Sequence, residues 1–217
     1  MGIIKDGING PFRGKAGSVI GSSWRKVNYV KGLARFKTKR KASAEQQLER
    51  KKFALLNHFF DPISGILEIG FRRFTDRATG RNKAVSYNYE WAFTINGSEV
   101  TLNYPKLQLS YGALFPAGDE RAWLEGNRLH VTWDPETYGM GRSMEDIAFL
   151  VYYDEVHELF ARHGQTRRYE GGVTITDTLF GLRPLKSHVW LFFLDEAAKQ
   201  VSKTVYIPVE EDVNGEN

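Results

Sequence analysis

Two kinds of periodicity divide the chain. From Leu48 onward, apolar residues recur at helical spacing (Leu48, Phe53, Leu55, Leu56, Phe59, Phe60), with Arg50, Lys51 and Lys52 on the opposite face. Ser43-Ala-Glu-Gln46 matches a capping box, in which the Ser hydroxyl serves the N3 amide and Gln46 reaches back to the cap. Asp61-Pro62 breaks this helix and starts a second over 62–74, since Asp is a good N-cap and Pro suits the first helical position. Its apolar set is Ile63, Ile66, Leu67, Phe71 and Phe74. The spacing then falls to two. Val85, Tyr87, Tyr89, Trp91, Phe93 and Ile95 alternate with polar or small residues and predict one strand with an aromatic face. Asn96-Gly97 signals a hairpin, Val100, Leu102 and Tyr104 return, and Leu107, Leu109 and Tyr111 extend the meander.

The ends of the chain differ from this middle. Residues 1–42 are dense in glycine, and Val19-Ile20 with Trp24, then Val27-Asn-Tyr29-Val30, predict short strands joined by turns. This stretch has too few large apolar residues for its own core, so an arm or small hairpin sheet that docks elsewhere is expected. Beyond 114, Leu129, Val131 and Trp133 alternate inward, and Ile147 to Tyr153 is a near-continuous apolar strand. Val173-Thr-Ile175, Val189 to Leu194 and Val201 to Val209 follow. Short strands at such spacing read as an antiparallel β-sandwich. Their order resembles a fibronectin type III or immunoglobulin-like domain, without the cysteine pair of an antibody domain. The expected fold class is mainly β with an N-terminal helical hairpin (α+β). Its expected parts are a Gly-rich basic β-arm over 1–42, the hairpin over 43–76, a β-meander over 77–113, the sandwich over 114–209, and an acidic tail over 210–217.

Charge sharpens that division. The 217 residues carry a formal net charge of +4. Residues 1–84 hold 19 Lys and Arg against 6 Asp and Glu, a surplus of +13, while the other 11 basic and 20 acidic residues leave −9 in the remainder. Such asymmetry points to two regions with different surroundings. The basic density peaks over 35–41 and 50–52, as an anion-binding surface or a solvated face would. A 13% aromatic and 26% charged composition is that of a globular protein. No apolar run approaches the ~20 residues of a membrane-spanning helix, and no apolar h-region follows Met1, so the expected location is the cytoplasm or an assembled particle.

Motif chemistry is sparse. Cysteine is absent, which excludes disulfides, thiolate catalysis and Cys-based metal sites. Gly14-Lys15 fails as a P-loop, because Asn9 and Ala16 stand where a Gly and a hydroxyl residue are needed. Gly14-Lys-Ala-Gly17 lacks the flanking helices of a KH loop. The five histidines (His58, His130, His157, His163, His188) form no metal-binding spacing; His130 and His188 read as surface residues. Asp119-Glu120, Asp154-Glu155 and Asp195-Glu196 read as solvated turns. There is no Gly-x-Ser-x-Gly elbow. No catalytic residue, metal or cofactor is expected. The stripe Tyr87, Tyr89, Trp91 is a weaker candidate for a carbohydrate or hydrolase groove, and core packing accounts for it better.

The functional candidate is the N-terminal constellation: Trp24, Tyr29 and Phe36 interleaved with Arg25, Lys26, Lys31, Arg35, Lys37, Lys39, Arg40 and Lys41, joined by Arg50. Aromatics that stack and cations that neutralise phosphate suit single-stranded nucleic acid. The same mixture anchors protein interfaces, or merely packs the arm on the helices. Gly14-Lys-Ala-Gly-Ser-Val-Ile-Gly-Ser-Ser-Trp24 and the helix positions Gln46, Arg50 and Phe53 resemble a family of uncharacterised bacterial proteins, specifically over about the first 75 residues. That resemblance implies a β-rich remainder and transfers no activity; such openings also resemble those of some phage or prophage structural proteins. The expectation is a non-enzymatic binding or assembly protein, with the phage or prophage resemblance as a pointer to assembly, whose basic N-terminal region docks on an acidic partner or on another copy. The alternative is a nucleic-acid-binding protein using the same arm.

Overall fold

The computed structural model describes residues 2–4, 10–24, 27–33, 41–74, 78–97, 99–136, 143–182, 184–195, 197 and 199–211. The chain is mainly β. Strands β1 (Gly2–Ile4), β2 (Phe12–Ala16), β3 (Val19–Trp24) and β4 (Val27–Gly32) form an antiparallel meander in chain order. Glycine is required at its first tight turn, where Gly17 has φ +58°. Within this sheet a β-carbon at Gly21 would collide with the Phe12 ring and carbonyl, so the strands close up there.

The helices follow. α1 (Ala44–Phe60) begins with the predicted capping box: Gln46 N donates to Ser43 Oγ at 3.2 Å and Ser43 N to Gln46 Oε1 at 3.3 Å. Its fully buried residues, Leu56, Phe59 and Phe60, all lie in its second half. Phe53, expected on the buried face, is 55% exposed. Asp61 does not start the next helix. Its amide closes α1 on the Asn57 carbonyl, its carboxylate pairs with Arg81, and α2 (Ser64–Gly70) starts without a side-chain cap. α2 ends four residues short of the expected 74, and Arg72–Phe74 is a separate 3-10 turn. A β-carbon at Gly70 would sit 2.0 Å from the Leu109 carbonyl oxygen, so only glycine lets the two segments meet.

The strand expected over 85–95 is instead a helix, α3 (Gly80–Asn88), followed by a turn. Thr79 Oγ1 accepts from Asn82 N at 3.0 Å, and Gly80, Ala84, Val85 and Asn88 are buried at helical spacing. An alternation of six apolar positions over 85–95 is weaker than a capped turn with a buried stripe. Real pairing begins at β5 (Phe93–Asn96) with β6 (Glu99–Leu102). The meander also ends there. The amides of residues 108–110 are bound by side chains: Asn88 Oδ1 accepts from Gln108 N at 2.7 Å, and Thr204 Oγ1 accepts from Leu109 N and Ser110 N at 3.0 and 2.8 Å. α2 packs chiefly on α3, so one long and two short helices stand where a pair was expected.

The remaining strands are β7 (Arg121–Glu125), β8 (Arg128–Thr132), β9 (Ile147–Asp154), β10 (Leu159–Arg167), β11 (Gly172–Thr176), β12 (Ser187–Leu194) and β13 (Val205–Glu211). They form one seven-stranded sheet in the order β10-β9-β12-β13-β7-β8-β11, in which β13 runs parallel to β7 and all other pairs are antiparallel. Its end strands β10 and β11 approach, so the sheet is nearly closed. One face holds Leu124, Leu129, Val131, Trp133, Leu150, Val189, Leu191 and Phe193 in a core. The other face of β9 and β12 (Val151, Tyr153, Trp190, Phe192, Leu194) carries the helices in a second core. Burial on both faces is why these two strands are apolar at nearly every position. Trp133 lies just past β8, inward as expected, with Nε1 donating to the Arg168 carbonyl at 2.8 Å. Glu210 and Glu211, expected in a frayed tail, are the end of β13 and pair with Trp123 and Leu124.

Candidate interaction site

The strand register brings part of the predicted constellation onto one surface. Lys15 pairs with Ile20 and Ile20 with Lys31, while Ser22 pairs with Tyr29 and Trp24 with Val27. Paired residues share a face and the side-chain period is two, so Lys15, Trp24, Val27, Tyr29 and Lys31 lie on one face of the meander. Trp24 is 53% and Tyr29 43% exposed, and every residue of β4 is exposed. β4 is also the outer strand, so among the described residues its free edge has no strand partner. The result is an aromatic pair flanked by lysines, beside an open row of backbone donors and acceptors.

The other predicted residues are placed differently. Lys41 is exposed ahead of the α1 cap and Arg50 is exposed on α1, so neither belongs to the sheet. Arg25, Lys26, Arg35, Phe36, Lys37, Lys39 and Arg40 lie outside the described residues. Lys52, expected on a solvated face, pairs with Glu49 at 2.8 Å and lies 5.8 Å from the Tyr89 and Phe93 ring centres. Sequence reasoning missed Lys15 and Val27; the β2–β3 register places the first and the β3–β4 register the second.

Titratable clusters elsewhere are engaged in folding contacts. His188, expected at the surface, is buried: it stacks on Tyr104 at 4.1 Å and contacts Tyr206 Oη at 3.0 Å and Glu155 Oε2 at 3.3 Å. Burial lowers its pKa below the usual histidine value, against the pull of Glu155. Asp154, expected in a solvated turn, is fully buried. Burial opposes its charge, but the Lys186, Val156 and His157 amides and the His157 ring outweigh that and hold its pKa down. Arg168 and Asp146 form a buried pair at 3.2 Å, with the guanidinium 3.8 Å from the Phe193 ring centre. Among the described residues no three His, Asp or Glu are grouped to hold a metal ion, and no helix is long and apolar enough to cross a membrane.

No curated protein matches the chain. The uncharacterised family expected from the N-terminal motifs is found across most of the chain. Over residues 11–208 the sequence matches, and the protein belongs to, a family of unknown function (DUF6266).

Proposed function

We propose that this is a non-enzymatic binding and assembly protein in which the N-terminal sheet docks on an acidic protein surface, in the first instance that of a second copy. The observation that carries this reading is the single face bearing Lys15, Trp24, Val27, Tyr29 and Lys31 next to the bare β4 edge. Exposed aromatics and edge strands are anchors for association, and the −9 of residues 85–217 supplies a complementary charge. The seven-stranded unit would be the body. Two antiparallel sets, β7-β8-β11 and β10-β9-β12-β13, joined by the parallel β13–β7 pair, support reading it as a fibronectin type III-like sandwich.

Light scattering across a salt series tests the proposal. Association at low salt should weaken as the Debye length falls from about 30 Å toward about 8 Å, and Lys15→Glu with Lys31→Glu should abolish it. A monomer at low salt, unchanged by added salt, would sink the self-association reading. A second reading is single-stranded nucleic acid laid across the same face. Trp24 and Tyr29 stand diagonally across the β3–β4 register, a spacing that suits stacked bases. Binding of labelled single strands that falls with salt and is lost in Trp24→Ala with Tyr29→Ala would favour it.

A further inference from the structure

The last turns of α1 meet the β9–β10 hairpin over a small hollow of about 160 Å³. Phe59 and Tyr153 are buried at its floor, Tyr104 and Phe160 are half-buried at its walls, and His58 and Glu158 are exposed at its rim. Phe59 stands edge-on to Tyr153, with ring centres 5.0 Å apart and planes at 88°, and at 59° and 58° to Tyr104 and Phe160. Tyr153 is flanked by the other two, 5.7 Å from Tyr104 and 4.5 Å from Phe160, at 38° and 34°. The four rings therefore form a corner whose faces look in more than one direction. A ring face is the negative part of the aromatic quadrupole.

Other features add negative potential to this corner. Glu158 has φ +54°, a backbone conformation that favours glycine or asparagine over glutamate. The turn that carries it does not need its side chain, because the Asp154 carboxylate accepts from Val156 N and His157 N at 3.3 and 3.2 Å and fixes the loop. Among the described residues Glu158 has no ion-pair or hydrogen-bond partner, whereas Glu155 is paired with Lys186 at 2.7 Å. Leu55, His58 and Phe59 belong to the last turns of α1, whose carbonyl end carries partial negative charge. The Tyr104 phenol records the local field: burial first, then Tyr153, Glu155 and Glu158, push its pKa above the usual tyrosine value. Among the described residues no Lys or Arg lines the hollow.

The geometry points to a site for a small organic ammonium ion: a methylated ammonium head against the faces of Phe59, Tyr104, Tyr153 and Phe160, with its charge balanced by Glu158. Ring faces attract such cations, most strongly where water is excluded. The chemistry selects against the alternatives. A bare divalent metal ion wants several oxygen ligands, and the hollow offers one free carboxylate among rings. An anion meets Glu158 and the helix end, both of the wrong sign. A neutral apolar ligand leaves the Glu158 carboxylate unused. Size narrows the class further, because about 160 Å³ is below the roughly 300–1,000 Å³ of sites for drug-sized ligands and suits a single head group. The head is either that of a free ion or that of a choline lipid. None of the lining residues comes from 1–42, so the site is separate from the N-terminal sheet.

Nuclear magnetic resonance titration of the full chain tests it, with choline and with its uncharged isostere, the alcohol in which a tert-butyl group replaces the trimethylammonium. Choline should shift the amide signals of Phe59, Glu158 and Phe160 and bind ~10-fold or more tightly than the alcohol. Glu158→Asn suits the left-handed backbone and should fold at least as stably, yet weaken choline by ~10-fold. Phe160→Leu keeps an apolar side chain but removes one ring face, and should weaken choline by ~3-fold or more. Circular dichroism should show both variants folded. If phosphatidylcholine vesicles capture the protein and Glu158→Asn releases it, the head belongs to a lipid; if they do not, the ligand is a free ion. Equal affinity for choline and the alcohol, no shift at millimolar choline, or choline affinity unchanged in both variants overturns the inference. Choline should bind Lys15→Glu with Lys31→Glu as it binds the parent chain, so failure of the docking reading and failure of this one are distinguishable.

Discussion

β4 and β12 are both strands rich in large apolar residues, yet they meet opposite fates. In β4, Val27, Tyr29 and Val30 are all exposed, and nothing among the described residues covers the outer edge. In β12, Val189 to Leu194 are all buried, because both faces are packed and both edges paired. Both carry strand-favouring Val and aromatic residues; what differs most is the supply of partners. A strand left bare in this way is a surface kept for another chain or held by a small, weakly packed sheet. The two cases yield different responses to mutation.

The body should be sensitive. Arg168→Met leaves the Asp146 carboxylate buried without its cation, which costs about 3–5 kcal/mol by analogy with other broken buried pairs. Thermal or denaturant unfolding would show it; a shift below about 1 kcal/mol would mean that the pair is dispensable to the core. Next is the α1 cap. Ser43→Ala removes the hydroxyl that accepts the Gln46 amide and should cost about 1 kcal/mol, read as faster amide exchange in the first turn of α1. Equal exchange in both proteins would show that tertiary contacts, not the cap, hold that end.

A smaller effect is expected from pH. His188 has its pKa lowered in the folded state by burial, opposed by Glu155 and Asp154 and helped by Lys186; Tyr104, Tyr206, Tyr153 and Trp190 pack around it. The folded state therefore binds its proton less readily than the unfolded state. Stability should be unaffected above the unfolded value of about 6.5 and should fall as pH drops below it. In His188→Gln that part of the decline should vanish; an identical pH curve would place the sensitivity elsewhere. The smallest change in stability is expected in the N-terminal sheet. Tyr29→Glu should alter unfolding by no more than about 0.5 kcal/mol while abolishing association. The reverse outcome would make Tyr29 a packing residue.

Particular residues show how far the sequence could be read. Ser43, Gln46 and the stripe at Leu56, Phe59 and Phe60 placed α1 correctly, because capping and helical spacing are local. β9 and β12 stood out because a strand buried on both sides has no polar face. The region 80–111 was misread because Val85, Tyr87 and Tyr89 alternate as a strand would, while Thr79 caps a helix and Asn88 and Thr204 serve residues 108–110 through side chains. The charge boundary near 84 therefore falls inside α3 and marks no structural junction. On the N-terminal sheet, Trp24, Tyr29 and Lys31 were legible as a cluster, but the face they share with Lys15 depended on a register no single strand reveals. The close approach of Gly70 to the Leu109 carbonyl and of Gly112 to the Val201 carbonyl was not legible, because each joins segments distant in sequence or separated by a helix.

Amide hydrogen exchange of β4, followed against protein concentration at low salt, tests the docking surface most directly. The account predicts that protection of Val27–Gly32 rises with concentration and falls again on adding salt, while protection of β12 stays constant. Exchange in β4 that is fast and independent of concentration, in a protein that nonetheless associates, would contradict it.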